Sequence, residues 1–116
     1  MKLTEVQFLF SKNVAKLINH IFEEGYHCSL GETYRSKEQA EIYVKQGKGI
    51  INSQHCKRLA IDINLFSPEG EYLTKSDDYQ KFGFYWKALN PANRWGGDFK
   101  NRDGNHFSMS DNGINA

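Results

Sequence analysis

The chain has 116 residues, the size of one domain and enough to bury roughly two thirds of its unfolded surface. Its aromatic content of 14% and hydrophobic content of 39% exclude a disordered chain. Fifteen basic residues against fourteen acidic ones, mixed along the chain, exclude a general attraction to nucleic acid or anionic membrane, and no apolar run approaches the ~18 residues of a membrane span.

The two cysteines, Cys28 and Cys56, are too few for a disulfide framework and read as free thiols. The N-terminus lacks an apolar core of secretory length, so the expectation is cytoplasmic synthesis without a signal peptide. No linker, repeat or low-complexity stretch marks a second unit, so residues 1–116 are expected to form one domain.

Thr4 to Glu24 is expected as an amphipathic helix. Leu9, Phe10, Val14, Leu17, Ile18, Ile21 and Phe22 fall near helical spacing. Thr4 with Gln7 fits a capping box, and Gly25 suits a left-handed C-terminal cap. Tyr26 to Tyr34 is a strand candidate. Ser36 with Gln39 opens a second helix that runs towards Gly47. Arg35 therefore stands at a strand-to-helix junction, where side chains point into clefts.

A glycine-bearing loop, Gln46 to Asn52, leads to Ser53-Gln54-His55. Ala60 to Phe66 is the clearest strand, with Ile61, Ile63 and Leu65 on one face and Ala60, Asp62 and Asn64 on the other. A carboxylate in mid-strand is costly unless something positive meets it. Ser67-Pro68-Glu69-Gly70 is a turn, and Glu71 to Leu73 a returning strand. Ser76 to Leu89 is expected as a third helix, weakened at Gly83 and ended by Asn90-Pro91. His106 to Met109 is a last strand, and Asp111 to Ala116 is expected to fray.

His55, Asp62 and His106 supply two imidazoles and one carboxylate, the donor types of a catalytic zinc site with an open position for water. Asp103, three residues before His106, can join them if Gly104-Asn105 turns the chain, and would then serve as general base and general acid. The plainer alternative is an Asp-Gly turn alone. Arg35 offers a planar fork to polarise a carbonyl or hold a carboxylate. Trp95, beside Gly96 and Gly97, is expected either to line a groove or to pack in the core. A rival structural site built from His27-Cys28 and His55-Cys56 has the wrong spacing.

Ser53-x-His55, Ala60-x-Asp62, Trp95-Gly96-Gly97-Asp98-Phe99 and Asp103-x-x-His106-Phe107, in that order, resemble the zinc D-alanyl-D-alanine carboxypeptidase and L-alanyl-D-glutamate endopeptidase family, nearest its phage endolysin branch. The resemblance spans Tyr34 to Phe107. It implies an α+β fold, a small antiparallel sheet with helices packed on it and zinc in a groove. It implies zinc on His55, Asp62 and His106, catalysis by Asp103 with Arg35, and substrate contacts from Arg35, Ser53 and Trp95. The implied partner is bacterial peptidoglycan, met by a monomer after release to the cell wall.

Two departures stand out: Arg58 where the family often has Gly, and Asp103 where the carboxypeptidase branch usually has Glu. The second favours cleavage between L-Ala and D-Glu. The alternatives are D-Ala-D-Ala carboxypeptidase activity or a non-catalytic zinc-containing wall-binding module.

Overall fold

The structure, a computed structural model, describes residues 1–50 and 52–111. Among these, three α-helices and five short strands form an α+β arrangement around one antiparallel sheet.

The first helix, α1 (Leu3–Glu23), buries Phe10, Asn13, Leu17 and Ile21, a stripe at intervals of three and four. It begins one residue earlier than expected and is not capped by Thr4. Lys2 N–H donates to Glu5 Oε1 at 3.0 Å, so a carboxylate closes the first turn, where it also meets the positive end of the helix. Gly25, at φ +86°, ends the helix in the left-handed conformation that its missing Cβ allows.

Strand β1 (His27–Leu30) is shorter than the expected Tyr26 to Tyr34. Beyond Leu30 the chain leaves the regular ladder and becomes a strap, residues 31–35, that remains bonded to the sheet through Asp62. Gly31 N–H donates to Asp62 O at 2.8 Å, and Asp62 N–H donates to Glu32 O at 2.9 Å. Helix α2 (Lys37–Lys45) then starts where Ser36 Oγ accepts from Gln39 N–H at 3.0 Å.

Strand β2 (Ala60–Phe66) follows the expected alternation. Ile61, Ile63 and Leu65 are buried, while Asp62 and Asn64 are half-buried on the opposite face. Strand β3 (Tyr72–Leu73) pairs with its far end. Residues Ser76–Tyr79 form a 3-10 turn rather than the start of the third helix, and α3 (Gln80–Leu89) follows it. Strands β4 (Asn93–Trp95) and β5 (His106–Met109) complete the sheet, whose order is β1-β2-β5-β4 with β3 beside β2.

The core lies between the sheet and helices α1 and α3. Trp86 is its centre, fully buried, with Nε1 shared between Arg94 O and Ser108 O at 3.0 Å each. The rings of Phe10 and Phe107 meet it edge-on. Each fully buried large apolar side chain contributes about 1.5–3 kcal/mol. Gly83 sits in α3 at a propensity cost because the Trp95 ring occupies its side-chain space; a Cβ there would lie 2.2 Å from Trp95 Cδ2.

The expected fraying at Asp111 is not seen: its carboxylate accepts from Gln54 Nε2 at 2.9 Å and from Lys57 Nζ at 3.2 Å. Residues 112–116, also expected to fray, lie outside the described residues.

Candidate metal centre

His55, Asp62 and His106 come from three separate pieces of chain. His55 lies in a 3-10 turn, Gln54–Lys57, whose start is set by Ser53 Oγ accepting from His55 N–H at 3.2 Å. Arg58 closes this turn at φ +58°, a left-handed conformation that explains why glycine suits the position. The Arg58 guanidinium stacks 4.1 Å from the Tyr34 ring centroid, which helps to offset the strain. Asp62 projects from β2, and His106 stands directly opposite it on β5.

One donor atom from each residue lies within 4.8 Å of the other two. Asp62 Oδ1 is the point of convergence, 3.3 Å from His55 Nε2 and 3.5 Å from His106 Nδ1. His55 Nδ1 is engaged with Thr33 O at 2.9 Å, which assigns it the proton and leaves Nε2 as the free donor.

These residues fit a metal ion on the structure's own evidence. Asp62 Oδ1 is buried without a hydrogen bond of good geometry. A buried carboxylate oxygen left so is costly unless a cation meets it. Two imidazoles and one carboxylate are the borderline donors that zinc takes at catalytic sites.

The electrostatics agree. Burial raises the Asp62 pKa, but the close imidazoles of His106 and His55 outweigh it and bring it down to about 2. For His55, burial lowers the pKa, while the hydrogen bond and charge of Asp62 and the Thr33 carbonyl carry the net shift upwards. Each partner thus holds the other in its charged form.

A turn packed on Gly96 brings Asp103 to the same place. Gly96 O accepts from Phe99 N–H at 3.1 Å and from Asp103 N–H at 2.9 Å, and His106 N–H donates to Asp103 O at 3.0 Å. A Cβ on Gly96 would lie 2.0 Å from Asp103 O, so the turn closes only over glycine. Gly104 N–H donates to Ser76 Oγ at 3.0 Å and Gly104 O accepts from Trp95 Nε1 at 2.7 Å. Asp103 itself stands at the mouth of the cleft. Partial burial raises its pKa, His106 opposes this, and the charge of Asp62 adds to the rise.

These groups line a cleft of about 500 Å³ that holds Arg35, Ser53, His55, Asp62, Asp103 and His106. Two expected substrate contacts sit differently from their expected roles. Trp95 is in the core, 2% exposed, because Gly83 and Gly97 open space for its ring; it supports the turn rather than lining the groove. Ser53 is 4% exposed at the cleft wall, with its hydroxyl occupied in capping the His55 turn. Arg35 lines the cleft, but its Nε and Nη2 both donate to Glu32 Oε1.

Sequence reasoning passed over Glu32, Thr33 and Phe99. Thr33 acts through its carbonyl, which carries no signature. Phe99 lies beside His106 at 5.5 Å between ring centroids, and was visible only as part of a motif. The rival His27-Cys28 site does not form; among the described residues the metal cluster is His55, Asp62 and His106, and both cysteines are free.

Comparison with known proteins bears on the fold and the family. The fold is similar to that of the Serratia marcescens L-Ala D-Glu endopeptidase ChiX, with a TM-score of 0.62 and 24% identity over 72% of this chain and 67% of that one. Among curated proteins, none matches the chain. The family model described as D-alanyl-D-alanine carboxypeptidase matches residues 46–109, a stretch that includes His55, Asp62, Asp103 and His106. By that match, over more than half its length, the chain belongs to the D-alanyl-D-alanine carboxypeptidase family of peptidases.

Proposed function

We propose that this chain is a zinc peptidase that cuts the stem peptides of bacterial peptidoglycan, as an L-alanyl-D-glutamate endopeptidase. The observation that carries the reading is the convergence of His55, Asp62 and His106 on Asp62 Oδ1, with Asp103 at the mouth of the same cleft. The fold it shares with an L-Ala D-Glu endopeptidase and an aspartate at the base position favour the endopeptidase bond. The family description favours the second reading, release of terminal D-Ala.

His55 Nε2, Asp62 and His106 Nδ1 would hold the ion. Zinc there supplies a Lewis acid and a water made nucleophilic near neutral pH. Asp103, in the same cleft, takes the proton of the attacking water and returns it to the departing amine. Arg35 lines the cleft with its Nε and Nη2 held on Glu32, so it shapes the wall rather than meeting the developing charge. Phe99 covers one side of His106 and limits water at the site. In this reading the protein works endolysin-like, on the wall after release.

The test is mass spectrometry of purified peptidoglycan digested by the zinc-loaded protein, with Asp103→Ala alongside. New N-terminal D-Glu that disappears with the variant is the expected result. Release of D-Ala would move the bond to the carboxypeptidase position. A folded, zinc-loaded protein that cuts neither bond would overturn the peptidase reading in favour of a wall-binding module.

A further inference from the structure

Arg35 is the first cation that the cleft offers to a substrate carboxylate, yet its surroundings remove it from that role. Glu32 Oε1 takes both Nε and Nη2, and the guanidinium lies 4.9 Å from the Tyr43 ring centroid. The pair is well sheltered, with side-chain exposures of 11% for Arg35 and 26% for Glu32. A guanidinium already matched by one carboxylate has little attraction left for a second.

Two other cations stand at the cleft. Lys100 lines the wall beside Phe99 and Asn101. Lys48 lines an adjoining pocket that shares Arg35, Asp62 and Asp103 with the cleft. Both are exposed, and among the described residues neither pairs with a carboxylate.

The backbone under each of the two lysines is held. Lys48 N–H donates to Tyr43 O at 2.7 Å, between two glycines of positive φ that fold the loop back. Lys100 follows Phe99 in a loop whose two ends, Phe99 N–H and Asp103 N–H, are both tied to Gly96 O. Two unmatched lysines therefore sit on held stretches of backbone, one at the cleft and one at the pocket that adjoins it.

We propose that Lys48 and Lys100 are the specificity-determining cations of the cleft, selecting peptides whose residue behind the scissile bond carries a free carboxylate. The inference rests on the peptidase reading above. That carboxylate has two possible sources, the α-carboxylate of a γ-linked D-glutamate or the terminus of a D-alanine. A carboxamide at the same position keeps the shape and removes the charge, so it isolates the contact.

The experiment uses two peptide pairs, one containing L-Ala-γ-D-Glu and one ending in D-Ala-D-Ala, each as free acid and as carboxamide. Binding is measured by calorimetry in a zinc-loaded Asp103→Ala background, where turnover does not intervene. Cleavage is measured separately with Asp103 in place. In the pair that the cleft accepts, the acid should bind about tenfold tighter than its amide, the worth of one charge-assisted contact. Adding Lys48→Ala and Lys100→Ala should bring that ratio near one.

An acid-to-amide ratio near one before the lysines are changed would overturn the proposal. So would a ratio that survives the double lysine substitution, or no binding of either acid. Discrimination in binding without cleavage of any peptide would overturn the peptidase reading and leave carboxylate selection standing. Both lysines are exposed, so unfolding midpoints of the variants should match the parent.

Discussion

Asp62 and His106 are cross-strand partners in the antiparallel β2–β5 ladder, with Asp62 Oδ1 3.5 Å from His106 Nδ1. Their spacing is therefore set by main-chain hydrogen bonding rather than by loop conformation. Only His55 has to be brought to the sheet, and the strap of residues 31–35 does that.

Replacing Asp62 by Asn should abolish stoichiometric zinc binding while leaving the fold intact. The amide keeps the shape, but loses the charge on which both imidazoles converge. Metal content after dialysis against limiting zinc should fall from about one equivalent towards zero. Retention of a full equivalent would remove Asp62 from the ligand set.

The metal-free protein should lose stability as pH rises past the ordinary imidazole value. His55 has a folded pKa above its unfolded value near ~6.5, so its contribution is present below that value and is lost as pH rises through the folded pKa. Asp62 works in the other direction. Its folded pKa of about 2 lies below the unfolded value, so its contribution is present above ~3.9 and is lost as pH falls through about 2. Urea unfolding in chelator should therefore be most difficult between these limits, and Asp62→Asn should flatten the profile. Zinc should reverse the alkaline slope, because its imidazole ligands bind deprotonated.

Gly96→Ala should destabilise the protein by about 1–3 kcal/mol, the usual cost of overpacking. The added methyl would meet Asp103 O at 2.0 Å and His106 Cβ at 2.8 Å, and the first of these is backbone that cannot rotate away. Chemical denaturation gives the loss of stability. Zinc affinity should fall with it, since the same turn carries His106.

Asp103→Asn should lower turnover by about 10²–10⁴ with zinc content unchanged, the range for losing a positioned acid–base group. In the metal-free protein, the Asp103 carboxyl should titrate above its ordinary range in a carbon-13 NMR experiment. Adding zinc should move that titration downwards, because a nearby cation favours the carboxylate.

Several parts of this arrangement were legible in the sequence. The alternation of Ile61, Ile63 and Leu65 identifies β2 and places Asp62 on the opposite face. Ser36 and Gly25 mark helix ends because caps are chemistry local to a few residues. What escaped was non-local. The capture of Arg35 by Glu32 occurs in irregular chain, where no periodicity reports which way a side chain points. Trp95 beside two glycines suited a groove as well as a core, and the deciding fact was Gly83, distant in sequence, that admits its ring. Asp111 was taken for a loose end because its partners, Gln54 and Lys57, lie half the chain away.

The strap of residues 31–35 holds the site with main-chain atoms. Gly31 N–H and Glu32 O bracket Asp62, Thr33 O fixes the ring of His55, and Arg35 N–H donates to His55 O at 3.1 Å. None of these anchors depends on what the side chains of Glu32, Thr33, Tyr34 or Arg35 are. The main chain of one short segment thus anchors two of the three proposed ligands from outside their own elements.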